Sequence, residues 1–290
     1  MNRVSSLARI IGLALLSLAL AGCSAVRVVH GQLPDLAYWW LDGYVDFNEL
    51  QTPRMRRELA ALHAWHRAEE LPRYADLLRR VQQMAAGPVT PEQVCEVAEI
   101  ARERLAAVMR QAEPGAAWLA HSLTPAQLTH PQARFEQNDQ TWVREWLRGT
   151  PEQRLQRRLD KAVDRAEDFY GRLGEAQILA LRADLARSAF NPQTIWAERL
   201  RRQQDIVQGL RTVSNGQGSA AAAREATRAL MGQWFESPNA GYRRYAEQSL
   251  RDNCALVARL HAGTTPEQRR RAVETLRRYE DDLRSLAAGH

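Results

Sequence analysis

The sequence predicts an all-α protein, an elongated bundle of about eight or nine helices with short connections. Three observations carry this reading. Apolar residues recur at three- and four-residue spacing over long stretches, as one buried face of a helix requires. Thr-Pro-x-Gln occurs four times, at Thr90–Gln93, Thr124–Gln127, Thr150–Gln153 and Thr265–Gln268. No segment alternates apolar and polar residues for long; Val26-Arg27-Val28-Val29 is too short to build a sheet.

The first element is a leader. Arg3 and Arg9 precede an apolar run from Ile10 to Ala21, which ends in Leu20-Ala21-Gly22-Cys23. A positive head, a short apolar middle and small residues at its end describe a secretory signal. The run is about 12 residues, short of the roughly 20 that span a bilayer as a helix. Leu-Ala-Gly-Cys resembles the lipobox of bacterial lipoproteins. The resemblance implies cleavage between Gly22 and Cys23 and a diacylglyceryl group on the Cys23 thiol. The competing reading is an ordinary secretory signal with a chance cysteine. Ser24 follows Cys23, and no Asp stands there. By the bacterial sorting rule this implies a lipid anchor on the periplasmic face of the outer membrane. The expected organisation is therefore a signal peptide at 1–22, a lipidated tether at 23–34 with turn material at Gly31 and Pro34, and a single helical domain at 35–290.

The first helix of that domain carries Trp39, Trp40, Tyr44 and Phe47. They could grip an apolar partner or lie against the bilayer, but aromatics at helical spacing more often pack, and docking into the core is the expectation. A long helix follows between roughly 48 and 86, with a kink expected at Pro72. In 91–112, Val94, Val97, Ala98, Ala101, Leu105, Val108 and Met109 form one stripe, and Glu113-Pro114-Gly115 reads as a break. Trp142 and Trp146, four apart, read as packing residues. Leu155, Leu159, Ala162, Val163, Ala166, Tyr170 and Leu173 repeat the stripe, as do Val273, Leu276, Tyr279, Leu283 and Leu286. The four Thr-Pro-x-Gln segments read as helix starts. Threonine caps, proline suits the first turn, and glutamine can bond back to the cap. Their spacings of 34, 26 and 115 residues are too irregular for a solenoid. Gly87-Pro88, Gly149, Asn191-Pro192, the run from Ser214 to Ser219, Ser237-Pro238-Asn239 and Gly263 mark further breaks.

The formal charge is +6, with Lys161 the only lysine. Loss of Arg3 and Arg9 with the leader leaves 38 basic against 34 acidic residues, or +4. The cations are interleaved with acids along the chain, which describes a solvated helical surface and not a nucleic-acid patch. Once Cys23 is assigned to the lipid, Cys95 and Cys254 remain. An even pair in an oxidising compartment favours one disulfide; two buried thiols are the alternative.

Few residues point to chemistry. His63 and His66, three apart, would need a third ligand from elsewhere to hold a metal, and the HExxH spacing is missing. His121 and His261 read as structural or exposed. Asp160, Asp164, Glu167 and Asp168 are interleaved with Arg157, Arg158, Lys161, Arg165 and Arg172, the pattern of a solvated helix face. No nucleophile elbow, phosphate loop or Rossmann fingerprint is present. The expectation is no catalysis, no cofactor and no metal.

Several segments carry a wider resemblance. They are Ala64-Trp65-His66-Arg67, Glu70-Leu71-Pro72-Arg73-Tyr74, Trp142 to Trp146, Arg165 to Leu173, Asn253-Cys254, Thr264 to Arg269 and Tyr279 to Leu283. Together they are similar to a proteobacterial family of lipoproteins classed as a domain of unknown function. The resemblance implies an all-helical exported domain over nearly the whole mature chain, and no reaction. Leu123-Thr124-Pro125-Ala126-Gln127 also resembles the LTxxQ motif of the Spy/CpxP group of periplasmic chaperones, which hold unfolded envelope proteins. The functional expectation is a lipid-anchored envelope protein that binds other envelope proteins, chaperone-like, with the membrane reached through its N-terminal lipid. A structural lipoprotein that scaffolds one fixed complex is the alternative.

Overall fold

The computed structural model describes residues 30–214 and 219–289, and they form helices joined by short turns, with no strand among them. We number the α-helices α1 (Leu33–Val45), α2 (Gln51–Trp65), α3 (Leu71–Ala85), α4 (Pro91–Ser122), α5 (His130–Trp146), α6 (Pro151–Tyr170), α7 (Glu175–Arg187), α8 (Pro192–Val213), α9 (Ala220–Gly232), α10 (Ala240–Ala262) and α11 (Pro266–Ala288). The all-α expectation holds. α2 and α3 run on through a π-helical turn, His66–Glu70, so the described residues form ten rods, slightly more than expected. The leader, Gly22, Cys23 and most of the tether lie outside the described residues. Pro34 does not mark a tether break: it sits in the first turn of α1, where its missing N–H costs nothing.

Capping chemistry starts the helices as the sequence indicates. At Thr90, Thr150 and Thr265 the threonine hydroxyl accepts the backbone N–H of the glutamine three residues on, and that glutamine's side chain accepts the threonine N–H. Thr124 and Gln127 make the same exchange but open only a short 3₁₀ turn, Gln127–Thr129. Here Leu123 is 1% exposed, and the Gln127 amide is buried against Asp46 O (2.8 Å) and Gln51 Oε1 (2.7 Å). The Leu-Thr-Pro-Ala-Gln segment is thus a buried junction that ties the α4 end to the α1–α2 corner.

Two prolines lie within continuous rods. The long helix runs on through Pro72, and a π turn precedes the proline, with the Leu71 N–H reaching His66 O. A widened turn accommodates the ring and the missing donor. Pro114 lies inside α4, which continues to Ser122. Packing overrides the local signal there. Ala117 and Ala120 are buried, Gly115 lies against Glu58, and Glu113 binds Arg228 through both oxygens (2.9 and 3.0 Å).

The core is divided into small clusters. Tyr38, Met55 and Leu59 join α1 to α2, with Trp118 and Leu119 of α4 against them. Ala120, Val213 and Ala223 join α4, α8 and α9. Leu159, Ala166, Leu173, Leu181 and Leu185 join α6 and α7 to Leu256 and Leu260 of α10. α3 packs along α11, where Ala75, Ala272 and Thr275 are small and buried and let the axes approach. Two of the predicted stripes are only partly buried: Leu105 is 54% exposed, and Tyr279 is also exposed. Where α8 meets α9, a side chain on Gly209 would come within 2.6 Å of Leu230 Cδ1, and the leucine side chain would have to shift to admit it.

Buried charge is neutralised locally. Glu280 on α11 accepts from Arg79 (3.0 Å) and Gln82 (2.7 Å) of α3 and from Arg284 (2.8 Å). Asp184 pairs with Arg187 and Arg259. Glu198 pairs with Arg201 and Arg202. Cys95 and Cys254 are bonded, linking α4 to α10 with 5.4 Å between their Cα atoms.

Candidate functional site

The histidines are placed by packing. His261, 2% exposed, donates from Nε2 to Gly87 O (2.8 Å) and so accepts the Tyr170 hydroxyl at Nδ1 (3.0 Å). Burial raises the Tyr170 pKa, which keeps that hydroxyl a donor. His121 meets Val213 O (3.1 Å). His63 and His66 diverge. His63 Nε2 faces His30 Nδ1 at 3.3 Å, whereas the His66 ring lies against Tyr74. Burial lowers the pKa of both His30 and His66, and His63 adds to each shift. Among the described residues no group of three His, Cys, Asp or Glu side chains could hold a metal ion.

The acidic face of α6 is solvated where the sequence placed it: Asp160, Asp164 and Asp168 are exposed. Glu167 instead turns to accept the Leu173 N–H at 2.9 Å, securing the chain past Gly171, whose positive φ of 72° ends α6. Trp142 stacks on Trp196 (5.2 Å between ring centres), and Trp146 meets Phe190 and Lys161, so both tryptophans pack between helices. The first-helix aromatics depart from expectation. Tyr38 is buried and Tyr44 and Phe47 are half-buried, but Trp39 and Trp40 are 62% and 61% exposed. One face of α1 suffices to cover α2 and α4, and Tyr38, Leu41 and Val45 fill it.

The residue that sequence reasoning missed is Arg158. It was assigned to the solvated face of α6, yet it stands three residues from Leu155 and four from Ala162, at the edge of the apolar stripe. Its guanidinium stacks on Phe190 at 4.0 Å and donates to Leu185 O (3.0 Å) and Ser188 Oγ (2.8 Å), capping the α7 C-terminus. Burial holds its pKa below the usual arginine value, although it stays charged. Among the described residues no carboxylate pairs with it.

Arg158 lines a cleft of about 360 Å³ between the 188–191 connection, the first turn of α8 and one face of α10. Local hydrogen bonds fix the walls. The Asn191 side chain caps α8 by accepting the Thr194 N–H (3.0 Å), Tyr245 OH accepts the Asn191 N–H (3.1 Å), and Asp252 accepts the Ala189 N–H (2.6 Å) and the Gln248 amide (2.7 Å). Phe190, Ile195 and Tyr242 give the cleft apolar surface, and Leu250 lies exposed on its lining. The Ser249 hydroxyl is buried there without a partner. The cleft thus combines a cation without a carboxylate partner, a hydroxyl without a partner and aromatic walls, with the Asp252 carboxylate also on its lining. The cleft holds no nucleophile paired with a base.

Fold and cleft together define an all-helical protein, pinned by a disulfide, with a cleft between helices. The pattern of the Family of unknown function (DUF6279) matches residues 43–224, and the chain belongs to that family. The matched span ends before α10 and α11, so Cys254 and the α10 wall of the cleft lie beyond it. No curated protein and no solved structure matches the chain. Among the described residues no helix is long and apolar enough to cross a membrane.

Proposed function

We propose that the chain is a lipid-anchored binding protein on the periplasmic face of the outer membrane, which holds envelope proteins without catalysing a reaction. One observation carries the binding role: the Arg158 guanidinium, without a carboxylate partner, on a cleft walled by Phe190, Tyr242 and Tyr245. A half-buried cation with no carboxylate partner among the described residues favours an anionic partner. The matching surface is an acidic side chain beside an apolar one in a partner protein. The buried carboxylates support binding over acid–base chemistry, because Glu113, Asp184, Glu198 and Glu280 are each engaged by arginine. The leader and the Leu-Ala-Gly-Cys segment support the anchor.

The test is in-cell crosslinking of the full chain with a photoreactive residue at Leu250, which is 39% exposed on the cleft. Adducts with envelope proteins are expected. The R158Q change should reduce them about tenfold, the equivalent of about 1.4 kcal/mol and within reach of one charged hydrogen bond. Circular dichroism should show R158Q as helical as the wild type, so that lost adducts report the site and not unfolding. Equal adducts with and without R158Q would contradict the cleft as the binding site. Many adducts support client holding; one adduct of fixed stoichiometry would replace it with a scaffolding role.

A further inference from the structure

α1 carries apolar residues on its outer face as well as on the face turned to the core. At about 100° per residue, Trp39, Gly43, Leu36, Trp40 and Leu33 fall on one continuous arc of about 120°. The four large side chains on it are all exposed, at 62% for Trp39, 48% for Leu36, 61% for Trp40 and 39% for Leu33. The opposite arc buries Tyr38 and Val45 and packs Leu41 and Ala37 toward α2. The only charged residues in α1 are Asp35 and Asp42, both beside the apolar arc and both engaged: Asp35 pairs with Arg56, and Asp42 accepts the Phe47 N–H at 2.8 Å. Scattered apolar residues on a surface need no partner, but a continuous tryptophan-bearing arc free of charge does.

We infer that this arc lies in the headgroup–acyl boundary of the membrane that holds the chain's own lipid, so that the domain is docked as well as tethered. The inference rests on the anchoring proposed above. Leu33 follows Cys23 by ten residues, and ten residues span at most about 35 Å. An acylated Cys23 therefore keeps α1 close to the bilayer. Tryptophan suits that boundary, with an apolar ring and one N–H to satisfy. α1, 13 residues long, matches a helix lying in the interface and not one crossing it. Its two charges are acidic, so the contact is apolar and independent of salt, and a zwitterionic lipid suffices.

The experiment uses the full chain as isolated from membranes, placed in phosphatidylcholine vesicles with brominated acyl chains. The chain has 8 tryptophans, and bromine quenches only those in the acyl boundary. Bromine-dependent loss of emission is expected at low and high salt, and the double variant W39F/W40F should abolish most of it. Both side chains are exposed, so the fold survives the change. Unquenched emission, or quenching that persists unaltered in the double variant, overturns the inference. Shielding of Trp39 and Trp40 in cells but not in vesicles also overturns it and assigns the arc to a protein. The N-terminal mass of the same sample separates the two ideas. An acylated but unquenched chain leaves the anchor standing without the docking. With an unacylated chain the anchor fails, and quenching by added vesicles then decides the docking alone.

Discussion

Reduction of the Cys95–Cys254 bond should lower the stability of the folded chain by about 5 kcal/mol. The two cysteines are 159 residues apart in sequence and join the first half of α4 to α10. Opening that loop returns closure entropy to the unfolded chain, and the gain grows slowly with loop length. α4 and α10 also pack on each other, although Ala101 and Leu105 on α4 and Leu250 and Val257 on α10 are exposed. The crosslink adds to that packing by limiting the unfolded chain. Urea unfolding with and without a reductant measures the effect, and C95S/C254S should match the reduced protein. Unchanged unfolding midpoints in both would contradict it.

The second large effect is expected at Glu198 on α8, which is 3% exposed. Burial alone would raise its pKa. Hydrogen bonds from Arg201, Arg202 and Ser237 outweigh that and bring it from the ordinary 4.5 down to about 2. Removing the carboxylate leaves two little-exposed arginines side by side, Arg202 without its counter-charge and Arg201 with Asp205 alone. Glu198→Ala should cost about 3 kcal/mol, near the lower end for breaking a buried pair from one side. The pH dependence has a definite sign. A depressed folded pKa gives stability that is present above pH 4.5 and is lost as pH falls toward about 2. Glu198→Gln keeps the shape and removes the titration, so its stability should change less than the wild type's over that interval. Parallel acid curves for the two proteins would show that Glu198 is not coupled to folding.

Much of the fold was legible because helix starts are local. Thr90, Thr150 and Thr265 need only their own glutamines to cap, and the structure shows all three doing so. The Thr124 segment has the same local chemistry, but what it starts depends on Gln51 and Asp46, which come from far along the chain. Pro114 was misread for the same reason. A proline states what the backbone lacks, and distant packing decides whether the helix ends. The disulfide was favoured from compartment and count, whereas its position between α4 and α10 needed the fold. Exposure of Trp39 and Trp40 was not legible, since an apolar arc reads alike whether it faces a core or a membrane. Arg158 was hidden because its value to the site comes from Phe190 and α10, on other helices.

The anchor and the envelope-binding role depend on where the mature chain begins and what it carries there. Mass spectrometry of the native protein, taken from membranes of the cells that make it, tests this directly. The expected product starts at Cys23, lacks residues 1–22, and carries diacylglyceryl mass on the cysteine. A product that retains its leader, or begins elsewhere with an unmodified thiol at Cys23, would contradict the anchor and the envelope-binding role built on it.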